Sequence, residues 1–319
     1  MTRVALLDDY QDVALHMADW QRLPADVEVQ AFRDHLSDEG ALVKRLKEVD
    51  IIMAMRERTP FQRSLLERLP DLKLLITAGM RNASIDLRAA SDCGVMVCGT
   101  EGLGYPTAEL TWGLILSLMR RIPREDQATR NGQWQVTTGL GLQGKTLGLM
   151  GLGRLGSQVA EVGKAFKMNL IAWSQNLTPE RAAAYGATLV NKDELMSQSD
   201  ILSVHLILSG RTLGLIGARE LGLMKPTAYL VNTSRGPIVD EPALLQALKN
   251  KTLAGAGLDV FEVEPLPLDH PFRRLDNIVI TPHLGYVTDE TYRVFYGDAL
   301  EDMQAFLKGE PVRVLNPAS

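Results

Sequence analysis

The chain has 319 residues, a formal net charge of −5 and an apolar share of 45%, which together describe an ordinary globular protein. At about 150 residues per domain, this length predicts two domains. The acidic balance argues against a protein that binds the phosphate backbone of nucleic acids, because such proteins usually carry a basic face. It leaves room for one local basic pocket that binds a small anion.

The first residues argue against export and membrane insertion. A short apolar run meets Asp8 and Asp9, so it is too short for a signal peptide or a membrane span and is typical of a buried strand. Cys93 and Cys98 are too few for a disulfide framework or a four-cysteine zinc site. We therefore expect a cytoplasmic protein with free thiols and no membrane partner.

Short apolar runs alternate with longer amphipathic stretches in the first hundred residues. This alternation predicts a parallel sheet with helical crossovers. The amphipathic stretches Leu36–Glu48 and Gln62–Leu69 are predicted helices. The predicted strands are Val4–Leu7, Val27–Phe32, Ile51–Met55, Leu72–Thr77 and Val95–Cys98.

A glycine-rich break, Gly99–Pro106, separates this series from a second one. It is followed by a predicted apolar helix, Ala108–Arg121, and by a polar stretch, Pro123–Gly139, with a turn signal at Asn131-Gly132. A last amphipathic helix is predicted over Thr288–Lys308. The predicted strands of the second series are Thr146–Met150, Asn169–Trp173, Ile201–His205, Ala228–Asn232, Gly255–Val260 and Asn277–Ile280.

The sharpest motif is Gly-Leu-Gly-Arg-Leu-Gly at residues 151–156, between a predicted strand and the predicted helix Ser157–Phe166. In that setting the glycines permit a tight turn, the close approach of a pyrophosphate and close helix–strand packing. The helix N-terminus offers free N–H groups and a partial positive charge to the phosphates. The motif predicts a dinucleotide site formed by Gly151, Gly153, Arg154, Leu155 and Gly156.

The residues after the next strand bear on which nicotinamide cofactor, NAD or NADP, binds. An NAD-selective site carries an acid there that bonds the ribose hydroxyls. Here the strand is followed by Ser174, Gln175 and Asn176, and the first carboxylate is Glu180. These polar side chains are able to donate hydrogen bonds to a 2′-phosphate, which an acid would repel. The sequence favours NADP(H), and a site that accepts either cofactor is the alternative.

Arg235, Glu264 and His283 lie in loops that follow three successive predicted strands. The carboxyl ends of parallel strands share one edge of a sheet, so we expect these side chains to meet there. An arginine holds a carboxylate or carbonyl oxygen with its planar fork of donors. A histidine passes a proton to a carbonyl oxygen while hydride arrives from nicotinamide. A glutamate beside it fixes the tautomer and favours the charged imidazole. The combination predicts reduction of a 2-oxo acid.

These regions resemble the four signature regions of the D-isomer-specific 2-hydroxyacid dehydrogenases, a family that includes glyoxylate/hydroxypyruvate reductases and phosphoglycerate dehydrogenases. The resemblance covers nearly the whole chain. It implies that Arg235 binds substrate, that His283 is the acid/base and that Glu264 is its partner. It also matches Asp259 to an aspartate near nicotinamide, and His205 and Thr233 are further cofactor-binding candidates. The four regions are Gly151–Gly156, Asn232–Pro237, Gly257–Pro265 and Thr281–Gly285.

The resemblance further implies an α/β fold with two doubly wound parallel-sheet domains. Residues 1–105 with 288–319 would form a flavodoxin-like substrate domain, and residues 106–287 an inserted Rossmann cofactor domain. A cleft active site, hinge closure and a homodimer through the cofactor domains are expected by the same analogy. The substrate carboxylate is expected on a loop formed by Ala78, Gly79, Met80 and Arg81.

Some residues have competing explanations. Arg56 and Arg58 follow a predicted strand and, with Arg81, are candidates for an extra anion site, but solvated loop charges are the more common explanation. Trp112 either lines the cleft or packs in the core. His35 is interpreted as a surface residue. Histidines and acids lack metal-ligand spacing on any one element, so no metal is expected.

Two alternatives to 2-oxo acid reduction remain open. Formate oxidation uses the same fold, but the histidine's partner is typically an amide in that branch, which Glu264 contradicts. A non-enzymatic, nucleotide-sensing interaction module of the corepressor type is the second. Such relatives carry interaction segments or long tails, whereas this chain ends soon after its last predicted helix.

Overall fold

A computed structural model describes residues 1–316 of the chain. The chain divides into two compact units. One consists of Met1–Leu103 and the segment from Thr288 onward, and the other is Gly104–Val287. Each unit holds one parallel β-sheet, which confirms the predicted α/β class with two parallel-sheet domains.

The first unit has a five-stranded sheet in the order β2-β1-β3-β4-β5. Every predicted strand of this unit is confirmed to within two residues at each end, whereas the first two predicted helices are shorter than expected. The elements are β1 (Thr2–Leu6), α1 (Ala14–Met17), β2 (Val27–Ala31), α2 (Glu39–Leu46), β3 (Ile51–Ala54), α3 (Arg63–Leu66), β4 (Leu74–Thr77), α4 (Leu87–Asp92) and β5 (Met96–Gly99).

The second unit has a seven-stranded parallel sheet in the order β12-β11-β10-β9-β6-β7-β8. Its elements are α5 (Pro106–Arg120), α6 (Ile122–Arg130), β6 (Thr146–Met150), α7 (Arg154–Ala165), β7 (Asn169–Trp173), α8 (Pro179–Ala184), β8 (Thr188–Leu189), α9 (Lys192–Gln198), β9 (Ile201–Val204), α10 (Ala218–Leu223), β10 (Tyr229–Asn232), α11 (Glu241–Lys249), β11 (Gly255–Leu258) and β12 (Ile278–Ile280). The chain then returns to the first unit in α12 (Asp289–Leu307).

The strands of the second unit are apolar on both faces because each face of the sheet is covered. Along β10, Leu230 belongs to one buried cluster, whereas Tyr229 and Val231 belong to another. This alternation follows from the two-residue period of a strand. Trp112 lies in the second cluster, 5% exposed, and its indole donates to the Val159 carbonyl oxygen at 3.2 Å. Its place is therefore core packing.

Helix α12 covers part of the first unit's sheet and packs against β4 and α1. The Thr288 hydroxyl caps its N-terminus by accepting a hydrogen bond from the Thr291 N–H at 3.2 Å. Its aromatic residues Tyr292, Phe295 and Tyr296 are buried. The predicted helix Thr288–Lys308 is confirmed, with the outermost residue at each end serving as the cap.

Two helices of the second unit differ from the sequence predictions. The polar stretch Pro123–Gly139 was predicted to contain a turn at Asn131-Gly132, which is confirmed, but residues 122–130 form a further helix, α6. Only Ala128 of that helix is buried, so it carries no apolar periodicity to reveal it. The helix predicted to begin at Ser157 begins at Arg154, within the glycine motif itself.

Within residues 1–316, no helix is both long and apolar enough to cross a membrane. The same residues contain no group of three or more histidine, cysteine, aspartate or glutamate side chains placed to hold a metal ion.

Candidate active site

Three charged loops follow adjacent strands of the second sheet. Strands β10, β11 and β12 are neighbours, so their carboxyl ends lie side by side along one edge. The first two loops touch through their backbones. A Cβ at Gly236, the residue after Arg235, would collide with the Phe261 carbonyl group, in the loop that carries Glu264. The glycine at this position therefore permits the close approach of the Arg235 loop to the Glu264 loop.

His283 and Glu264 form a hydrogen-bonded pair. His283 Nδ1 lies 2.6 Å from Glu264 Oε2, and the other carboxylate oxygen accepts from the Phe261 N–H at 2.9 Å. An ionised carboxylate only accepts, so Nδ1 carries a hydrogen and the imidazole orientation is fixed. Nε2 forms no hydrogen bond with any atom of residues 1–316, and the side chain is 20% exposed. That nitrogen is therefore available to a ligand.

Asp259 holds the turn that carries His283, which we call the histidine turn (residues 281–285). Its buried carboxylate accepts hydrogen bonds from the Thr281 hydroxyl at 2.6 Å and from the N–H groups of Leu284 at 2.7 Å and Gly285 at 2.8 Å. Its carbonyl oxygen accepts from the His283 N–H at 2.8 Å. Burial raises the pKa of Asp259, while these hydrogen bonds lower it. Both carboxylate oxygens of Asp259, the residue expected near nicotinamide, therefore accept hydrogen bonds from the histidine turn.

Arg235 lies on a loop whose backbone is firmly held. The buried Asn232 side chain donates to the Arg235 carbonyl oxygen at 3.0 Å and accepts from the Ser234 N–H at 3.0 Å. One terminal nitrogen of the guanidinium, Nη1, donates to the Ser234 carbonyl oxygen at 2.8 Å. Thr233 is buried, and its hydroxyl lies 2.8 Å from that of Thr111 on α5. The Thr233 side chain is thus directed at a helix of its own unit.

The glycine motif fits a dinucleotide. Gly151 has φ of +103°, and a Cβ at Gly156 would collide with the Gly151 carbonyl oxygen, so these two positions require glycine. Gly153 faces open space, because a Cβ there would meet no atom within 4 Å. Helix α7 starts at the next residue without a side-chain cap. Its first N–H groups are therefore directed at a space that a pyrophosphate is able to enter.

His205 lies against this motif. A Cβ at Gly151 would lie 2.6 Å from the His205 carbonyl oxygen. Burial lowers the pKa of the imidazole to about 4, so it is neutral at neutral pH. Nε2 lies 2.9 Å from the hydroxyl of Ser203, whereas the buried Nδ1 has no hydrogen-bond partner within residues 1–316. A buried, unsatisfied nitrogen beside the motif is a second feature that fits a polar ligand.

The residues expected to discriminate NADP from NAD follow β7 directly. Gln175 and Asn176 are exposed, and Ser174 is partly exposed. Arg181 lies in α8 and is exposed. Strand β6 ends just before the glycine motif, and its neighbour β7 ends just before Ser174. The glycine motif and the residues after β7 therefore lie at the same edge of the sheet.

The loop after β4 carries the expected carboxylate site. Ala78 and Gly79 are buried, Gly79 has φ of +88°, and its N–H donates to the Thr100 hydroxyl at 2.9 Å. The N–H groups of Met80 and Arg81 donate to no acceptor within residues 1–316. The loop thus presents two adjacent, unused donors, which suits a carboxylate.

Arg56 and Arg58 are fixed by other protein groups, so the interpretation as solvated loop charges is wrong. Arg56 Nη1 donates to the Ala78 carbonyl oxygen at 3.2 Å, beside the loop after β4. Arg58 donates to the Asp8 carbonyl oxygen at 2.7 Å and stacks on the ring of Tyr10. Both guanidinium groups are thus bonded to backbone carbonyl oxygens of their own unit.

His35 is not a simple surface residue. Its Nδ1 lies 2.9 Å from the buried carboxylate of Asp8, whose other oxygen accepts from the Thr59 hydroxyl at 2.7 Å. The partners are 27 and 51 residues apart in sequence. No local pattern signals such a pairing, which only the folded sheet creates.

Comparison with known proteins identifies the family of this chain. Residues 112–285 match the model of the family described as D-isomer specific 2-hydroxyacid dehydrogenase, NAD binding domain. A glyoxylate reductase from Thermococcus litoralis is 38% identical over 288 residues, 87% of this chain and 86% of the relative. A D-3-phosphoglycerate dehydrogenase from Methanocaldococcus jannaschii is 37% identical over 273 residues, 84% of this chain and 52% of the relative.

Solved structures show the same similarity. A putative D-3-phosphoglycerate dehydrogenase from Ralstonia solanacearum superposes with a TM-score of 0.94 at 38% identity, covering 100% of this chain and 98% of that one. The apo-structure of D-lactate dehydrogenase from Escherichia coli gives a TM-score of 0.84 at 27% identity, covering 98% and 100%.

The chain therefore belongs to the D-isomer-specific 2-hydroxyacid dehydrogenase family, as the sequence motifs predicted. It is an oxidoreductase that acts on the CH–OH group of 2-hydroxy acids with a nicotinamide cofactor.

Proposed function

We propose that this protein reduces a small 2-oxo acid, such as glyoxylate, with His283 as the acid, Glu264 as its partner and Arg235 as the substrate-binding cation. The observation that carries the proposal is the His283–Glu264 pair, in which Nδ1 is engaged at 2.6 Å while Nε2 has no partner within residues 1–316. The Arg235 loop packs against the Glu264 loop at Gly236, which supports a shared site.

The cofactor, when bound, supplies a hydride to the carbonyl carbon of the substrate. His283 Nε2–H donates its proton to the carbonyl oxygen, so the oxo acid becomes a hydroxy acid with charge and atoms balanced. Glu264 Oε2 keeps accepting from Nδ1–H through this step, which stabilises the imidazolium beforehand and holds the ring afterwards. Arg235 stabilises negative charge that develops on the same oxygen. His283 then takes up one proton from the buffered solvent, which restores its acid form.

The substrate carboxylate is assigned to the loop after β4. Its free donors are the N–H groups of Met80 and Arg81, while Ala78 and Gly79 set the loop's path. A positive φ at Gly79 turns successive N–H groups toward one point, as in other anion-binding backbone nests.

The dinucleotide is assigned to the edge formed by the glycine motif and its neighbours, with NADP(H) favoured over NAD(H). Ser174, Gln175 and Asn176 carry no charge that would repel a 2′-phosphate. The glycines, His205 and the first N–H groups of α7 would hold the pyrophosphate and ribose. The other assigned residues are Arg154, Leu155, Thr233 and Asp259.

We also propose a homodimer formed through the second unit. Trp134 is 80% exposed, and Ile122 and Leu140 lie close to it in sequence at 50% and 41% exposure. Large apolar side chains grouped in this way are typical of a protein interface. We assign the protein to the cytoplasm, since both cysteines are free thiols, and we expect no nucleic-acid or membrane partner.

The test is loss of NADPH absorbance with glyoxylate and a panel of longer 2-oxo acids. His283→Asn should lower kcat by about 10²–10⁴ and leave cofactor affinity nearly unchanged. His270→Asn is the matched control. His270 is paired with Glu241 at 2.9 Å, but both of its ring nitrogens are engaged, since Nδ1 accepts from the Phe272 N–H.

His270→Asn should stay within about threefold of wild type, since no free nitrogen is lost. Absence of turnover by the wild-type protein across the whole panel would contradict the proposed reaction. A near-normal rate for His283→Asn would contradict the assigned acid.

A further inference from the structure

A hydroxyl group on helix α5 also bonds to the histidine turn. Thr107, in the first turn of α5, donates from Oγ1 to the Gly285 carbonyl oxygen at 2.9 Å. The Gly285 N–H is held in turn by Asp259 at 2.8 Å. A Cβ at Gly285 would lie 3.1 Å from Thr107 Oγ1 and 3.2 Å from Asp259 Oδ2, so this residue is tightly enclosed. Asp259 and Thr107 thus bond to the two peptide groups on either side of the Gly285 Cα.

The same helix holds the loop that carries Arg235. Thr111 Oγ1 donates to the Thr107 carbonyl oxygen at 2.8 Å, and a hydroxyl has only one proton. Its 2.8 Å contact with Thr233 Oγ1 therefore has Thr233 as the donor. Thr233 precedes Arg235 by two residues. The first two turns of α5 thus bond to both the loop after β10 and the loop after β12.

His283 needs such restraint because its backbone is in the left-handed region. Its φ is +55°, a conformation that costs energy for any residue with a Cβ and persists only where surrounding contacts impose it. Within residues 1–316, the side chains that hydrogen-bond to the backbone of the histidine turn are those of Asp259 and Thr107. Of these two residues, Asp259 follows β11, the strand that pairs with β12, whereas Thr107 lies on α5.

We propose that Thr107 is a positioning residue for the reaction. Its hydroxyl fixes the histidine turn on α5, and through Thr111 the same helix fixes the Arg235 loop, so the spacing of acid and cation is set by one rigid element. This role rests on the proposed function, because it concerns the placement of His283 and Arg235. Thr107 acts in this role through its bond to the Gly285 carbonyl oxygen and not through the substrate.

The test replaces Thr107 by valine, which keeps the branched shape and removes only the donor. Catalytic groups displaced by up to 1 Å lose about 10²-fold in rate. Since Asp259 still holds the turn, we expect kcat per cofactor-binding site to fall about 5- to 50-fold. KM for the oxo acid and Kd for NADPH should change less than about twofold, because the residues assigned to bind these two ligands do not include Thr107. Thr107→Ser, which restores the donor, should recover most of the lost rate.

Thr252→Val is the matched control. Thr252 also donates from its hydroxyl to a backbone carbonyl oxygen, that of Ala247 at 3.3 Å, in the same unit. It should alter the thermal midpoint without altering kcat per site. An unchanged kcat for Thr107→Val would overturn the proposal, and so would a fall matched by an equal loss of cofactor-binding sites or one that Thr107→Ser fails to reverse. Wild-type protein that turns over no oxo acid would instead refute the proposed function itself, and this role with it.

Discussion

Replacing Asp302 by asparagine should change the pH dependence of stability of the first unit. Asp302 lies on α12 with a fully buried side chain. Oδ1 accepts from Arg313 Nε at 3.0 Å, whereas Oδ2 is buried without a hydrogen-bond partner within residues 1–316. Burial raises its pKa from 3.8 to about 7, against the opposing effect of Arg313, and the nearby Asp298 and Glu301 raise it further.

The sign follows from proton binding. Between the unfolded pKa of 3.8 and the folded pKa of about 7, the folded state holds a proton on Asp302 that the unfolded chain has lost. The free energy of unfolding therefore falls as pH rises through this window. At about 1.4 kcal/mol per pKa unit, the fall contributed by Asp302 approaches ~4 kcal/mol. Asparagine is neutral at every pH and lacks this dependence.

The measurement is urea unfolding at pH 5, 6, 7 and 8, followed by hydrogen exchange of peptides from α12. Asp302→Asn should become more stable relative to wild type as pH rises, by a few kcal/mol between the extremes (a range of roughly 2–4). Glu301→Gln is the control. Glu301 also bonds Arg313 but is 61% exposed, so its difference from wild type should stay nearly flat. A pH-independent difference for Asp302→Asn, within about 0.5 kcal/mol, would refute protonation of the buried carboxyl.

Two further predictions concern ligands and assembly. Ser174→Asp should shift the ratio of kcat/KM for NADPH over NADH toward NADH by at least about tenfold, because a carboxylate there repels the 2′-phosphate. An unchanged ratio would show that Ser174 is not the discriminating position. Trp134→Glu should convert a dimer to a monomer in sedimentation experiments. Trp134 is 80% exposed in the single chain, and the proposed dimer would bury it, so the substitution would place a charge inside the interface. The exposed Leu268→Glu, at 91% exposure outside this segment, should leave the assembly unchanged.

The strands were predictable because they are buried on both faces. Runs such as Ile51–Ala54 are continuously apolar, and β6 and β7 were predicted to the residue. Helix α6 was missed for the converse reason. It begins after Arg121, which has φ of +56°, and buries only Ala128, so the signal that reveals amphipathic helices is absent from it.

The pairing of His283 with Glu264 was also predictable from the sequence. His283 and Glu264 follow neighbouring strands in a parallel sheet, and sheet topology brings such loops together. The hydroxyl of Thr107 was not predictable. It bonds to the Gly285 carbonyl oxygen, which is 178 residues away in sequence. The residues around a threonine in the first turn of a helix do not indicate which distant group its hydroxyl will bond. The pairing of His35 with Asp8 escaped prediction in the same way.

The division of the first unit along the chain sets an order for its synthesis. Strand β5 receives a hydrogen bond from the Leu315 N–H to the Val97 carbonyl oxygen at 2.7 Å, and Asn316 bonds the Val97 N–H and the Val95 carbonyl oxygen. Leu315, Asn316 and the whole of α12 are synthesised only after residues 104–287. The second unit is one continuous segment and is able to fold first. The apolar surface that α12 covers stays exposed to solvent until α12 has been synthesised, and exposed apolar surface of this kind favours aggregation.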